Sequence, residues 1–194
     1  MSALETEIIG RSMVVRFARP EIRNPLSVAV LLELHKIVGA LVANADLKGL
    51  IFTGSDNVFA SGADLREIAA VTPETAQGFS FRGQDLMARI SKLPQTTVAA
   101  INGYCFGGAL DLALACDIRI GALTAKFAHP GAGLGIITGW GGTQRLPRLI
   151  GQANALEMLF TASPLGAEDA ARIGLVDEVA DDPLARALQV VTTQ

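Results

Sequence analysis

The chain has 194 residues, a net charge of −3 and 50% hydrophobic residues, enough for one domain with an apolar core. It has no run of Lys and Arg interleaved with aromatic residues, which together with the negative charge argues against nucleic acid as a partner. The acidic N-terminus and the lack of a long apolar run predict a protein that is neither exported nor inserted into a membrane. Cys105 and Cys116 lie in apolar sequence, where buried, reduced thiols are expected. We therefore expect a cytoplasmic location.

The first elements are a hairpin and a helix. Residues 7–9 and 13–17 flank Gly10-Arg11-Ser12 and predict two antiparallel strands. Ser27 is a candidate N-cap for the helix that follows. Apolar residues recur in that helix at spacings of three and four, which predicts a buried stripe lying on a sheet. The stripe comprises Val30, Leu31, Leu34, Val38, Leu41 and Val42.

Strands then alternate with helices. The run GLIFTG at 49–54 predicts a buried strand, and residues 100–120 read as strand, glycine turn, helix and strand. A helix is expected at about 153–160, a short helix and a strand within 167–179, and one weak helix at 182–191. This alternation predicts an α/β fold.

Two glycine-containing turns could contribute backbone amides to a functional site. FASGAD at 59–64 places small residues after a strand, so the Ala63 amide could face a cleft. The turn at 106–108 opens a helix, whose first amides, including that of Gly108, lack intrahelical partners and suit a polarised oxygen. Asp111 follows on the same face of the first turn, as a possible acid or base. The alternative is that the glycines only make turns and Asp111 only complements the helix dipole.

Other glycine-dependent sites lack their signatures. No glycine pair is followed by Lys-Ser or Lys-Thr, no G-x-G-x-x-G stands between a strand and a helix, and no G-x-S-x-G is present. These absences argue against a P-loop, a Rossmann fold and a serine hydrolase. With two histidines and no grouped cysteines, we expect no metal site.

Six segments carry a family resemblance. They are SGAD at 61–64, INGY at 101–104, GG at 107–108, ACD at 115–117, GGTQRL at 141–146 and AEDAARIGLVDEV at 167–179. Together they resemble the enoyl-CoA hydratase/isomerase (crotonase) family, and the match as a whole covers about residues 5–180 in the family's order.

The resemblance implies an α/β fold, the crotonase (ClpP-like) spiral of strand-strand-helix units, in one domain over 1–194. It implies an acyl-CoA substrate, with coenzyme A as part of the thioester and no covalently bound cofactor. The amides of Ala63 and Gly108 would form an oxyanion hole for a thioester enolate, with Asp111 as the proton carrier. The backbone of Ala63, Asp64, Leu65 and Arg66 would line the CoA site. Family members generally form a homotrimer or a dimer of trimers.

The sequence departs from the family at the second carboxylate. Hydratases of this family use two glutamates, which align with Asp111 and Gly131, and glycine transfers no proton. The side chain of Asp111 is also shorter than glutamate by about one carbon–carbon bond, roughly 1.5 Å. This argues against standard two-glutamate hydration. Isomerisation needs only one proton carrier, and a non-catalytic acyl-CoA-binding protein or another crotonase chemistry such as decarboxylation are further alternatives.

Full family members also continue past the position of Gln194, with helices that cover the acyl pocket. We expect this chain to lack that cover, to have a more open site, or to receive a cover from another subunit.

The remaining candidates each have an ordinary alternative. His129 could replace the lost proton donor, although loop histidines are usually structural. Trp140, which we expect to contact substrate, would narrow the acyl pocket or simply pack. Arg19 and Arg23 could meet CoA phosphates. We expect Cys105, and likewise Tyr104, to be packing residues and His35 to be exposed.

Overall fold

The fold begins with the expected hairpin, in a computed structural model that describes residues 2–193. In chain order the strands are β1 (Leu4–Ile9), β2 (Ser12–Phe17), β3 (Pro25–Leu26), β4 (Gly49–Thr53), β5 (Val58–Ala60), β6 (Gly62–Ala63), β7 (Thr96–Ile101), β8 (Tyr104–Phe106), β9 (Ile118–Ala122), β10 (Lys126–Ala128), β11 (Leu165–Gly166) and β12 (Glu178–Ala180). The helices are α1 (Val28–Val42), α2 (Leu65–Ala69), α3 (Pro73–Ile90), α4 (Gly108–Ala113), α5 (Gly142–Ile150), α6 (Gln152–Thr161), α7 (Ala167–Arg172) and α8 (Pro183–Thr192). Two 3₁₀ turns lie at Pro20–Ile22 and Pro130–Leu134.

The strands form a repeated unit. A six-stranded sheet has the order β1-β2-β4-β7-β9-β12, and a four-stranded sheet has the order β11-β10-β8-β5. Each unit contributes one strand to each sheet and then a helix: β4, β5 and α2; β7, β8 and α4; β9, β10 and α5. Equivalent strands pair in parallel. This confirms the α/β spiral of strand-strand-helix units.

The six-stranded sheet is covered on both faces because side chains alternate along its strands. Phe17, Leu50 and Phe52 face the main core, together with the buried stripe of α1. Ile51 and Val98 face α8, which packs across β4, β7 and β9. The helix expected at 182–191 is therefore a packed element of the fold.

Most local predictions are confirmed. Ser27 accepts a hydrogen bond from the Val30 amide and caps α1, and Cys105 and Cys116 are buried free thiols. Three side-chain placements are wrong: Val42 is 61% exposed because it ends α1, Tyr104 is 40% exposed, and His35 is partly buried because its ring contacts the Arg82 carbonyl.

Among residues 2–193, no helix has both the length and the apolar character needed to cross a bilayer.

Candidate active site

The two glycine turns meet in space. Gly62 has φ +89, and a Cβ there would lie 2.7 Å from the amide nitrogen of Gly108. A Cβ on Gly108 would in turn lie 3.4 Å from the amide nitrogen of Ala63. The positive φ and the close approach both require glycine at 62. The amides of Ala63 and Gly108 are thus brought side by side, where β6 contacts α4.

Two asparagines hold the loop before the first turn. Asn24 is buried, and its amide donates to the carbonyls of Val58 and Phe59, both at 3.1 Å. Asn102 accepts from the Gly54 amide at 2.9 Å and donates to the Asp56 carbonyl at 2.9 Å. Because backbone groups in loops need partners, these side chains fix the path of the segment that leads to Ala63.

Asp111 lies on α4, one turn after Gly108, and its side chain is completely buried. The hydroxyl of Thr138 donates to its Oδ2 atom. Its Oδ1 atom lies 3.5 Å from Nε2 of His129, which is also buried. Asp111 therefore contacts two polar side chains. His129 lies just before the 3₁₀ turn at Pro130–Leu134, and Thr138 lies in the loop before α5.

Gly142, the first residue of α5, allows this approach. A Cβ at that position would lie 2.2 Å from Asp111 Oδ1 and 3.0 Å from His129 Nε2. Such distances are far inside van der Waals contact, so any side chain at 142 would displace the carboxylate. Gly142, the second glycine of the GGTQRL segment, thus leaves the space that the Asp111 side chain occupies.

Burial sets the charges of this cluster. It raises the pKa of Asp111 from 3.8 to about 6, against the opposing effects of the Thr138 hydrogen bond, nearby backbone amides and the Arg145 charge. Burial also lowers the pKa of His129 from 6.5 to about 4. At neutral pH the carboxyl group is therefore ionised and the imidazole neutral, so the two do not form an ion pair.

Gly131 lies in the same cavity wall, but its surroundings leave no room for a side chain. A Cβ there would lie 2.6 Å from the carbonyl oxygen of Ile136. The Ile136 amide also donates to the Gly131 carbonyl at 3.0 Å, so the loop folds back over position 131. A carboxylate at 131 would require the loop to move.

Trp140 is buried and fills the space beside two glycines. Cβ atoms on Gly83 and Gly108 would each fall within 2.3 Å of its ring. The ring also packs on Phe79 with the centroids 6.0 Å apart. Trp140 therefore both packs against the start of α4 and lines the cavity.

A cavity of about 350 Å³ joins these groups. Among its lining residues, Asp111 and His129 alone have side chains that titrate between acid and neutral pH. Most of the rest are apolar. The lining comprises Ser61, Ala63, Leu65, Ile68, Val71, Ala76, Phe79, Ser80, Gly107, Gly108, Asp111, His129, Pro130, Gly131, Leu134, Ile136, Ile137, Thr138, Gly139 and Trp140.

Two of the expected substrate-binding residues lie outside this lining. Asp64 caps α2 through the Arg66 amide and pairs with the Arg66 guanidinium at 2.7 Å. The Arg66 side chain is 82% exposed. Of the two arginines considered for CoA, Arg23 accepts a hydrogen bond from the Ser61 amide at its carbonyl, at 3.0 Å. The backbone of Arg23 therefore lies near the turn that carries Ala63.

Thr138 did not stand out in the sequence. It lies in a glycine-rich loop without periodicity, and its hydroxyl reaches Asp111 across 27 residues. A polar residue just before the GG pair was the available signal. In residues 2–193, no three His, Cys, Asp or Glu side chains lie close enough to hold a metal ion.

The spiral and its cavity agree with the comparison to known families. Residues 10–191 match the model of the enoyl-CoA hydratase/isomerase family. The chain belongs to this family.

Curated relatives bear names of the same kind. The chain is 36% identical over 173 residues to the short-chain-enoyl-CoA hydratase of Clostridium acetobutylicum, a match covering 89% of this chain and 66% of that protein. It is 41% identical over 167 residues to the crotonyl-CoA hydratase of Syntrophomonas wolfei, covering 86% of this chain and 64% of that protein. The chain thus spans about two thirds of the length of these relatives.

Solved structures share the fold. DspI of Pseudomonas aeruginosa superposes with a TM-score of 0.94 at 33% identity, covering 100% of this chain and 80% of that chain. The enoyl-CoA hydratase of Bacillus anthracis superposes with a TM-score of 0.93 at 34% identity, covering 99% of this chain and 76% of that chain.

Proposed function

We propose that this protein acts on acyl-CoA thioesters, with a thioester enolate held by the amides of Ala63 and Gly108 and with Asp111 as the proton carrier. The observation that carries the proposal is the placement of one buried, ionisable carboxylate in an apolar cavity beside those two amides. Family membership supports the CoA thioester as the substrate class.

The amides suit the developing negative charge. The Gly108 N–H begins α4 and has no acceptor within the helix. In comparable sites one oxyanion donor is worth about 2.7–4 kcal/mol of transition-state stabilisation. Two donors at the thioester oxygen would lower the cost of removing a proton from the substrate α-carbon, the carbon next to the carbonyl.

Asp111 suits the proton transfer. Its Oδ2 atom accepts a hydrogen bond from the Thr138 hydroxyl. Oδ1 is buried and has no hydrogen-bond partner among residues 2–193, so we assign the proton transfer to Oδ1. A pKa of about 6 leaves the carboxylate ionised at neutral pH. It is also a stronger base than an ordinary, exposed aspartate.

The two parts of the substrate would lie on different surfaces. The apolar wall formed by residues such as Ile68, Phe79 and Trp140 would take the acyl group. The exposed Arg66 guanidinium, together with Arg19 and Arg23, would meet the CoA phosphates. We also propose that the protein assembles as a homotrimer or a dimer of trimers, to be tested by light scattering.

The decisive test of the proposed function is a panel of 2-enoyl, 3-enoyl and aromatic-ring CoA esters. Chromatography with mass spectrometry separates hydration, isomerisation and decarboxylation products. We expect turnover by wild type and a loss of about 10²-fold or more in Asp111→Asn. Asp169→Asn, which changes an exposed carboxylate on α7, is the matched control and should keep the wild-type rate.

Two results would contradict the proposal. Binding of acyl-CoA with no turnover of any ester would identify a non-catalytic binding protein. Turnover that Asp111→Asn leaves unchanged would show that another group carries the proton.

A further inference from the structure

Two neighbouring residues just before β3 have a left-handed backbone. Arg23 has a φ of +64° and Asn24 a φ of +49°. This region costs free energy for any residue with a side chain, although asparagine tolerates it better than arginine does. Pro25 follows, and its ring disfavours such a conformation in the residue before it. Strain of this kind persists only where surrounding contacts require it, so the contacts of these two residues indicate what the strain serves.

The buried side chain of Asn24 joins two segments of the chain. Its Oδ1 atom accepts a hydrogen bond from the Arg19 amide at 2.6 Å, while its own backbone amide donates to the Arg19 carbonyl at 2.9 Å. These two bonds close the turn at 19–24. Its Nδ2 atom donates to the carbonyls of Val58 and Phe59, across more than thirty residues. Asn24 therefore ties this strained turn to the loop that leads to Ala63.

The residues on either side of Asn24 hold the rest of that loop. The Arg23 carbonyl accepts a hydrogen bond from the Ser61 amide at 3.0 Å. After Asn24 the chain forms β3, which pairs in parallel with β6 and sets Leu26 opposite Ala63. The segment 23–26 thus lies along the whole of the segment 58–63.

The two proposed oxyanion donors differ in their support. The Gly108 amide begins α4, and the preceding Gly107 amide donates to the Ala128 carbonyl at 2.8 Å. Ala63 lies on β6, a strand of two residues whose one partner in the sheet is β3. The position of the Ala63 amide therefore depends on the segment 23–26 far more than that of Gly108 does.

We propose that Asn24 is a positioning residue, whose side chain sets the Ala63 N–H at the angle at which it meets the enolate oxygen together with the Gly108 N–H. The proposal rests on the proposed function, because Ala63 is one of its two donors. Asn24 does not line the cavity, so it acts through the backbone of the loop. Because the negative charge on the oxygen develops only as the enolate forms, misalignment should weaken enolate stabilisation more than thioester binding.

Two substitutions remove the contacts of Asn24 in different ways. Asn24→Gly suits the left-handed backbone and deletes only the side chain. Asn24→Asp keeps the shape and the acceptor for the Arg19 amide, but a carboxylate cannot donate to the two loop carbonyls. The matched control is Asn154→Ala. The Asn154 side chain also donates to a backbone carbonyl, that of Ile150 at 2.8 Å, but it lies on α6 and does not line the cavity.

Three readouts separate positioning from a general loss of structure. Deuterium exchange at the α-carbon of butyryl-CoA measures enolate formation. Calorimetry with butyryl-CoA measures binding of the uncharged thioester. Acetoacetyl-CoA forms a conjugated enolate that absorbs in the near ultraviolet, so the absorbance of the bound ligand reports how strongly the site favours an enolate without any turnover.

We expect both Asn24 variants to lose about 10²-fold in the exchange rate, as when one oxyanion donor is removed. Their Kd for butyryl-CoA should stay within about threefold of wild type, and the enolate fraction of bound acetoacetyl-CoA should fall. Asn154→Ala should match wild type in all three readouts. If one Asn24 variant fails to fold, as judged by circular dichroism, the other must show the same separation of exchange from binding.

Several outcomes overturn the inference. Exchange at the wild-type rate in the Asn24 variants would show that the Ala63 amide keeps its position without this side chain, and the proposed function would stand. A rise in Kd as large as the loss in exchange, or failure of both variants to fold, would mean that Asn24 serves the fold and not the alignment of the donor. If wild type shows neither exchange nor bound enolate, the proposed function falls together with this inference.

Discussion

Replacing Asp111 by Asn should change stability in a way that depends on pH. The two side chains have nearly the same shape, so the substitution removes a buried charge without creating a cavity. Burial raises the folded-state pKa of Asp111 from 3.8 to about 6. A raised pKa means that the carboxyl's contribution to stability is complete below its unfolded value of 3.8 and is lost as pH rises through 6.

The size of the effect follows from the shift. Each pKa unit corresponds to about 1.4 kcal/mol, so a shift of about two units costs wild type roughly 3 kcal/mol once the carboxyl is ionised. Asparagine is neutral at every pH. The free energy of unfolding of Asp111→Asn, relative to wild type, should therefore rise by about 2 kcal/mol between pH 4 and pH 7.5.

Urea denaturation at several pH values measures this difference directly. Asp169→Asn, on the exposed face of α7, should differ from wild type by less than about 0.5 kcal/mol throughout. A constant difference between Asp111→Asn and wild type as pH rises would mean that the pKa of Asp111 is not shifted, and a falling difference would mean that the buried carboxyl is stabilised as the anion. Either result would refute the reasoning.

Three further substitutions test the site. Gly142→Ala places a Cβ 2.2 Å from Asp111 Oδ1 and should lower kcat/KM about 10²-fold in steady-state turnover; unchanged turnover would contradict the geometry. Gly131→Glu places a Cβ 2.6 Å from the Ile136 carbonyl. It should lower the free energy of unfolding in urea by about 1–3 kcal/mol without raising hydration, and a gain in hydration would be the contrary result. Thr138→Val removes a hydrogen bond that lowers the pKa of Asp111. The pKa of Asp111 should therefore rise. In the pH–rate profile, wild-type activity should increase with pH through about pH 6, and the same increase in Thr138→Val should lie about one pH unit higher. A shift to lower pH would contradict this prediction.

The repeating part of the fold was readable from sequence because its signals are local. Apolar strands such as β4 and β7 are continuous buried runs, and Ser27 marks the start of α1. Three helices, α2, α3 and α5, were missed, and the last two have a physical reason. Residues 73–90 of α3 bury few apolar side chains, so their periodicity is weak. Pro147 lies inside α5, and a proline within a segment argues against a helix there.

The candidate site was predictable only in part. Ala63, Gly108 and Asp111 belong to two short motifs whose turn chemistry is visible in sequence, and the structure brings these motifs together. The contacts of Thr138 and His129 with Asp111 join residues 27 and 18 positions away. Such convergence depends on the path of a loop, which no periodic pattern specifies.

Deuterium exchange at the α-carbon of butyryl-CoA tests the central claim most directly. This saturated thioester has no double bond to hydrate or move, so exchange with deuterium oxide reports proton removal beside the carbonyl alone. The account predicts exchange by wild type and by Asp169→Asn, with a loss of about 10²-fold or more in Asp111→Asn. Exchange by Asp111→Asn at the wild-type rate would contradict it.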